Sequence, residues 1–133
     1  MQYFLDASFL IALFNEEDDF HQDSKRIIKD LMQRPYYFLT SNIVLAETVN
    51  LIFRVKGIKE SKRLLKGFRE SDIEGVYLTP EIFTQGYKIL FKQKSKRGLN
   101  LFDCFHLAAM KYLGVSTILT YDERFKKEVK VIN

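Results

Sequence analysis

Residues 99–125, LNLFDCFHLAAMKYLGVSTILTYDERF, decide how this chain folds. Asn100 precedes a run of Leu101, Phe102, Phe105, Leu107, Ala108, Ala109 and Met110, which reads as a buried helix opened by an Asn cap. Gly114 closes that helix, and STILT (116–120) follows as a strand. One letter does not belong. Asp103 sits among apolar neighbours, where a bare carboxylate is costly if nothing pairs with it. Either a local donor satisfies it or a cation visits it.

Outward from this stretch, strands and helices alternate. QYFL (2–5) is a short strand and ASFLIALFN (7–15) a short helix. DFHQDSKRIIKDLMQR (19–34) is amphipathic, with Phe20, Ile27, Ile28 and Leu31 predicted to face inward, and Pro35 stops it. YYFLT (36–40) is a second strand. Ser41 or Asn42 can cap the helix IVLAETVNLIFRVK (43–56), whose apolar residues cover most of its circumference and require burial on more than one side. After Gly57 comes the basic helix IKESKRLLKGFRES (58–71), then a strand in GVYLT (75–79). Pro80 fits the first turn of PEIFTQGYKILFKQK (80–94), and VKVI (129–132) forms a short fifth strand. This order predicts the α/β class, with a parallel sheet covered on both faces. No repeat, low-complexity tract or Pro/Gly/Ser-rich linker divides the 133 residues, so residues 1–133 read as one domain.

The opening MQYFLDASFLIALFNEE has no basic leader or small-residue cleavage site, and Asp6, Asn15 and Glu16 interrupt its apolar run. A signal peptide and a membrane span are therefore not expected. Cys104, the single cysteine, lies in the apolar helix pattern and reads as a reduced packing residue, consistent with a cytoplasmic protein. The net charge of +4 is modest but uneven. Basic residues bunch in RVKGIKESKRLLKGFR (54–69) and KILFKQKSKR (88–97), whereas acids dominate NEEDD (15–19). Such bunching suits a polyanionic partner, and it equally describes solvated helix faces.

In a parallel sheet the ligand crevice lies beyond the carboxyl ends of the strands, where the crossover helices begin. Four acids fall toward that rim: Asp6 just after the first strand, Glu47 about two turns into the helix after the second, Asp103 in the first turn of its helix, and Asp122 after STILT with only Tyr121 between. Each has a structural reading. Asp6 and Asp122 can cap the turns that follow them, Asp103 can complete a capping box with Asn100, and Glu47 shares a polar stripe with Asn50 and Arg54. Together they carry a different implication. Carboxylates gathered in a partly dry crevice repel one another, and a divalent cation reverses the sign of that interaction. An all-oxygen set without a second cysteine or paired histidines favours Mg²⁺ or Mn²⁺ over zinc. His106, one turn after Asp103, has no partner at ligand spacing and reads as a core or supporting imidazole.

These pieces resemble the PIN-domain family, and within it the VapC-type toxin ribonucleases. The resemblance rests on LDAS (5–8), SNIVLAETVNLI (41–52) and LNLFDCFHLAAMKYLGVSTILTYDERF (99–125), in order and over nearly the whole chain. It implies a three-layer α/β/α sandwich around a parallel sheet of roughly five strands. It further implies an Mg²⁺- or Mn²⁺-dependent endoribonuclease that is the toxin of a toxin-antitoxin pair, forms homodimers and is inhibited by a small cognate antitoxin. Asp6 and Asp103 would be the surest metal ligands, Glu47 and Asp122 would complete the catalytic acids, and Ser8 and Thr120 would be orienting hydroxyls. Arg124 departs from the pattern, because many relatives keep an acid or amide two residues after the last Asp. Arg54, Lys56, Lys62, Arg63, Lys94, Lys96 and Arg97 are the candidates for holding an RNA backbone. Two alternatives stand beside the toxin: a non-catalytic PIN-fold module that binds RNA or protein, and a stand-alone RNA-processing nuclease. A receiver-like domain and a D-x-D phosphatase fail because FLDAS (4–8) offers one acid, and there is no P-loop.

Overall fold

The computed structural model describes residues 1–133. Five strands, β1 (Gln2–Leu5), β2 (Tyr37–Ser41), β3 (Ile73–Val76), β4 (Thr117–Leu119) and β5 (Lys130–Ile132), form one sheet. All neighbours in it are parallel, in the order β3-β2-β1-β4-β5. Six helices connect them: α1 (Ala7–Phe14), α2 (His21–Leu31), α3 (Asn42–Lys56), α4 (Ile58–Arg69), α5 (Pro80–Phe91) and α6 (Leu101–Leu113). The chain steps outward from β1 to β2 to β3, then returns across the sheet through α5 and α6 to place β4 on the other side of β1. Right-handed crossovers therefore put α1–α4 on one face and α5–α6 on the opposite face. This is the three-layer α/β/α arrangement with a five-stranded parallel sheet. The reversal of direction at β1 and β4 creates a topological switch point, the place where such sheets open a crevice.

The core is built on the central strands. Phe4, Leu5, Ile118 and Leu119 are fully buried, and Phe9, Leu10 and Val44 from the helices cover them on one side. On the other side α6 presents an almost unbroken buried run from Asp103 to Met110, which explains its lack of apolar periodicity. Gly86 lets α5 close onto α6, since a Cβ there would lie 2.3 Å from Cδ1 of Phe105. Gly114 ends α6 in the left-handed conformation at φ 69°.

Of the two candidate caps for α3, Ser41 fills the role. The structure departs from the sequence reading in two places. β3 is Ile73–Val76, shifted toward the amino end from GVYLT, because Leu78 gives its N–H to the Asn42 side chain and Thr79 becomes the cap of α5. Phe20 precedes α2 instead of facing inward from it, and is half exposed, with its ring stacked on Tyr121 at 4.2 Å.

Candidate active site

Asp6 leaves the end of β1 and is the N-cap of α1. Its Oδ1 accepts from the Phe9 backbone N–H at 3.0 Å and from the Ser8 hydroxyl at 2.8 Å. The Thr120 hydroxyl, from the end of β4, donates to Oδ2. The Ser8 and Thr120 oxygens are 3.2 Å apart, and each also accepts a backbone N–H from the following turn, Tyr121 to Ser8 and Asp122 to Thr120. The two central strands are thus tied together at the switch point by one carboxylate and two hydroxyls. Asp6 is nearly buried at 5 % exposure. Burial pushes its carboxyl above the usual range, against the Thr120, Phe9 and Ser8 hydrogen bonds, which pull it down.

Asp103 is set by the capping box. Asn100 Oδ1 accepts from the Asp103 N–H at 3.0 Å, and Asp103 Oδ2 accepts from the Asn100 N–H at 3.1 Å. Burial also pushes this carboxyl up, more than the Asn100 hydrogen bond and the Arg124 charge hold it down. Asp122 caps the 3-10 turn Glu123–Lys127. Its carboxylate grips Arg124, and that hydrogen bond holds it below the usual carboxylate range. The same Nη2 of Arg124 lies 3.1 Å from Asp103 Oδ2. Asp103 and Asp122 therefore meet through a guanidinium, which also feels the charge of Asp6.

Glu47 stands apart from this trio. Its Oε1 lies 3.8 Å from Nε2 of His106, an imidazole that is buried with neither ring nitrogen hydrogen-bonded. As the side chains stand, no three acids, histidines or cysteines converge as a cation cage. The donor set nonetheless suits a hard divalent ion. Asp6 and Asp103 are buried carboxylates whose charge is disfavoured by that burial, and every candidate ligand is an oxygen.

The basic residues divide. Lys56 reaches Asn15 and Glu17, and with Arg63 it lines a groove at the carboxyl end of α1, the opposite end of that helix from Asp6. Arg63 pairs with Glu60 at 3.7 Å. Lys94, Lys96 and Arg97 instead lie in the connection that leads into the Asn100 cap of α6. Arg54 and Lys62 are exposed on α3 and α4.

Two features of the site escape sequence reading. Tyr121 stacks against both Phe9 and Phe20 and donates its hydroxyl to Asp23 at 2.9 Å, which fastens the start of α2 beside the site. Nothing in its local pattern signals this, because its partners are about a hundred residues distant. Arg124 is visible in the sequence as an unusual residue, but its grip on Asp103 requires the fold.

The PIN domain family pattern matches residues 3–130 of this chain. The chain belongs to the PIN-domain family. Among solved structures, it is similar to Mycobacterium tuberculosis VapC20, described as a sarcin-ricin loop cleaving toxin. That likeness has 26% identity and a TM-score of 0.82, covering 94% of this chain and 93% of VapC20. It shares its fold with a structure of VapBC-1 from nontypeable Haemophilus influenzae, at 19% identity and TM-score 0.74 over 100% of this chain and 98% of that one. The Rickettsia felis VapBC2 structure, bound to a promoter DNA fragment, gives 17% identity and TM-score 0.77 over the same shares. No curated protein sequence matches this chain.

Proposed function

We propose that this PIN-domain protein is a metal-dependent endoribonuclease, the toxin of a toxin-antitoxin pair. The observation that carries the reading is the Asp6 cluster: a buried carboxylate at the switch point, oriented by Ser8 and Thr120, with Asp103 and Asp122 close by across Arg124. The likeness to VapC20 and to VapBC structures supports the toxin reading, with RNA as substrate and a small antitoxin as partner.

Asp6 and Asp103 would hold an Mg²⁺ or Mn²⁺ ion, with Glu47 and Asp122 completing the acidic set. When bound, such an ion supplies positive charge to a phosphodiester and makes water acidic enough to react near neutral pH. The chain's own residues do the rest. Ser8 and Thr120 keep Asp6 in one orientation, so its oxygens need no reorganisation when substrate arrives. Glu47 or Asp122 accepts the proton released by the attacking water. Lys94, Lys96 and Arg97, which lead into the cap of α6, engage backbone phosphates without reading bases. Leu51, Phe53 and Val55 on α3, and Tyr87, Phe91 and Phe102 on α5 and α6, leave exposed apolar surface that a second copy or an antitoxin would cover.

One observation favours a second reading, a non-catalytic PIN-fold module: Arg124 already pairs with two of the four acids. One assay separates the two. Purified protein is incubated with structured RNAs in Mn²⁺ or Mg²⁺, then with chelator, beside Asp6→Asn and Asp103→Asn. Cleavage that needs metal and disappears in both variants is the expected result. Cleavage that survives the substitutions overturns the nuclease site, and intact RNA throughout selects the binding module.

A further inference from the structure

We propose that Arg124 is an intrinsic counter-cation of the acidic pocket, which a divalent ion must displace from Asp103 and Asp122 before it can bind. The inference rests on the metal-site reading above. Its observation is the shared guanidinium nitrogen: Nη2 of Arg124 lies 2.5 Å from Asp122 Oδ2 and 3.1 Å from Asp103 Oδ2. Nε adds hydrogen bonds of 3.0 and 3.1 Å to the two oxygens of Asp122.

A guanidinium in this position does what a metal would do. It offsets part of the charge of two acids that otherwise face each other in a partly dry crevice. The two cations exclude one another, because a divalent ion on Asp103 Oδ2 would sit within a few ångströms of a fixed positive charge. That repulsion is strong even at the dielectric of a protein surface.

The exposures show which partner gives way. The Arg124 side chain is 46% exposed, against 10% for Asp103 and 23% for Asp122. Withdrawing the arginine into water costs least. The backbone need not follow, since fully buried Phe125 and the Asp122 cap anchor the 3-10 turn that carries Arg124. Displacement is a side-chain rotation.

Arg124 therefore sets the metal concentration at which the site fills, and offsets part of the charge of Asp103 and Asp122 below it. The experiment is isothermal titration of metal-free protein with Mn²⁺, followed in parallel by Mn²⁺ electron paramagnetic resonance. The proteins are wild type, Arg124→Gln, Arg124→Lys, Asp103→Asn and the Arg124→Gln/Asp103→Asn double variant, with circular dichroism confirming that each folds. Arg124→Gln binds Mn²⁺ about tenfold or more tighter than wild type, Arg124→Lys falls between, because an ammonium keeps the charge but not the Nε hydrogen bonds that fix the guanidinium on Asp122, and Asp103→Asn removes the gain. Equal affinity in wild type and Arg124→Gln, with binding lost in Asp103→Asn, overturns the competition while leaving the metal site standing. The absence of Asp103-dependent binding in every variant overturns both.

Discussion

The two ends of α1 carry the same kinds of side chain and do opposite things with them. At the carboxyl end, Lys56 meets Glu17 and Arg63 meets Glu60 along an open groove, and cations and carboxylates there are paired with access to water. At the amino end, Asp103 and Asp122 share the guanidinium of Arg124, Asp6 is met only by hydroxyl and backbone donors, and Asp6 and Asp103 are buried. Exposed pairs of the first kind add little to stability and need nothing more. A buried set in which acids outnumber cations leaves a demand for positive charge. Burial and the count of charges, not the presence of ion pairs, separate a solvated edge from a site.

Cleavage gives the widest separation between the two ends. Asp6→Asn keeps an oxygen to cap α1 and so keeps the fold, but lowers metal-dependent RNA cleavage by about three orders of magnitude, whereas Glu17→Gln stays within about twofold of wild type. Single-turnover cleavage of one RNA by the three proteins checks this. Equal losses in both variants would erase the distinction between the ends.

Stability separates them next. Thr120→Val removes the hydroxyl donated to Asp6 and the acceptor of the Asp122 N–H, leaving buried polar groups without partners at a cost of about 2 kcal/mol. Glu17→Gln barely moves the urea midpoint. Equilibrium denaturation without metal measures both.

The layers of the fold are legible in the sequence because helix and strand patterns alternate without ambiguity, and because Asn100, Pro80 and Gly114 mark element ends by local chemistry. Sequence reading misplaces the start of β3 by two residues and its end by three, because that end is fixed by the Asn42 side chain, which holds a residue 36 positions further on. Topology alone assigns the four acids to one rim. It does not give their grouping, since Glu47 turns to His106 and Arg124 comes between Asp103 and Asp122 only through side-chain geometry. The basic runs are incompletely legible for a related reason. Charge density along the chain does not reveal that Lys56 points to the far end of α1.

That division of the basic residues gives a smaller effect. Replacing Lys94, Lys96 and Arg97 together with Ala weakens RNA binding about tenfold and makes the logarithmic salt dependence shallower, roughly in proportion to the number of phosphates no longer neutralised. The pair Lys56→Ala and Arg63→Ala changes binding by less than about twofold. Fluorescence anisotropy across a salt series, using cleavage-deficient Asp6→Asn protein, reads both numbers. An equal loss at the two ends would mean that RNA wraps the whole of α1.

The smallest effect tests the comparison by its sign. Asp6 is pushed up by burial, while Glu17 is pulled down by its hydrogen bond to Lys56. A carboxyl raised in the folded state binds its proton more tightly there than in the unfolded chain. It therefore lends stability at low pH that is lost as pH rises from the ordinary carboxylate range through its raised value. A depressed carboxyl lends stability above its unfolded value, and loses it as pH falls through its folded one. In metal-free protein Asp6→Asn should thus be more stable than wild type near neutral pH, and Glu17→Gln slightly less stable. Both differences should shrink toward zero on acidification, from opposite sides. Melting temperatures of the three proteins from about pH 4 to about pH 7.5 give the two curves. If they approach wild type from the same side, Asp6 is satisfied within the fold in the way Glu17 is, and the amino end of α1 has no unmet demand for a cation.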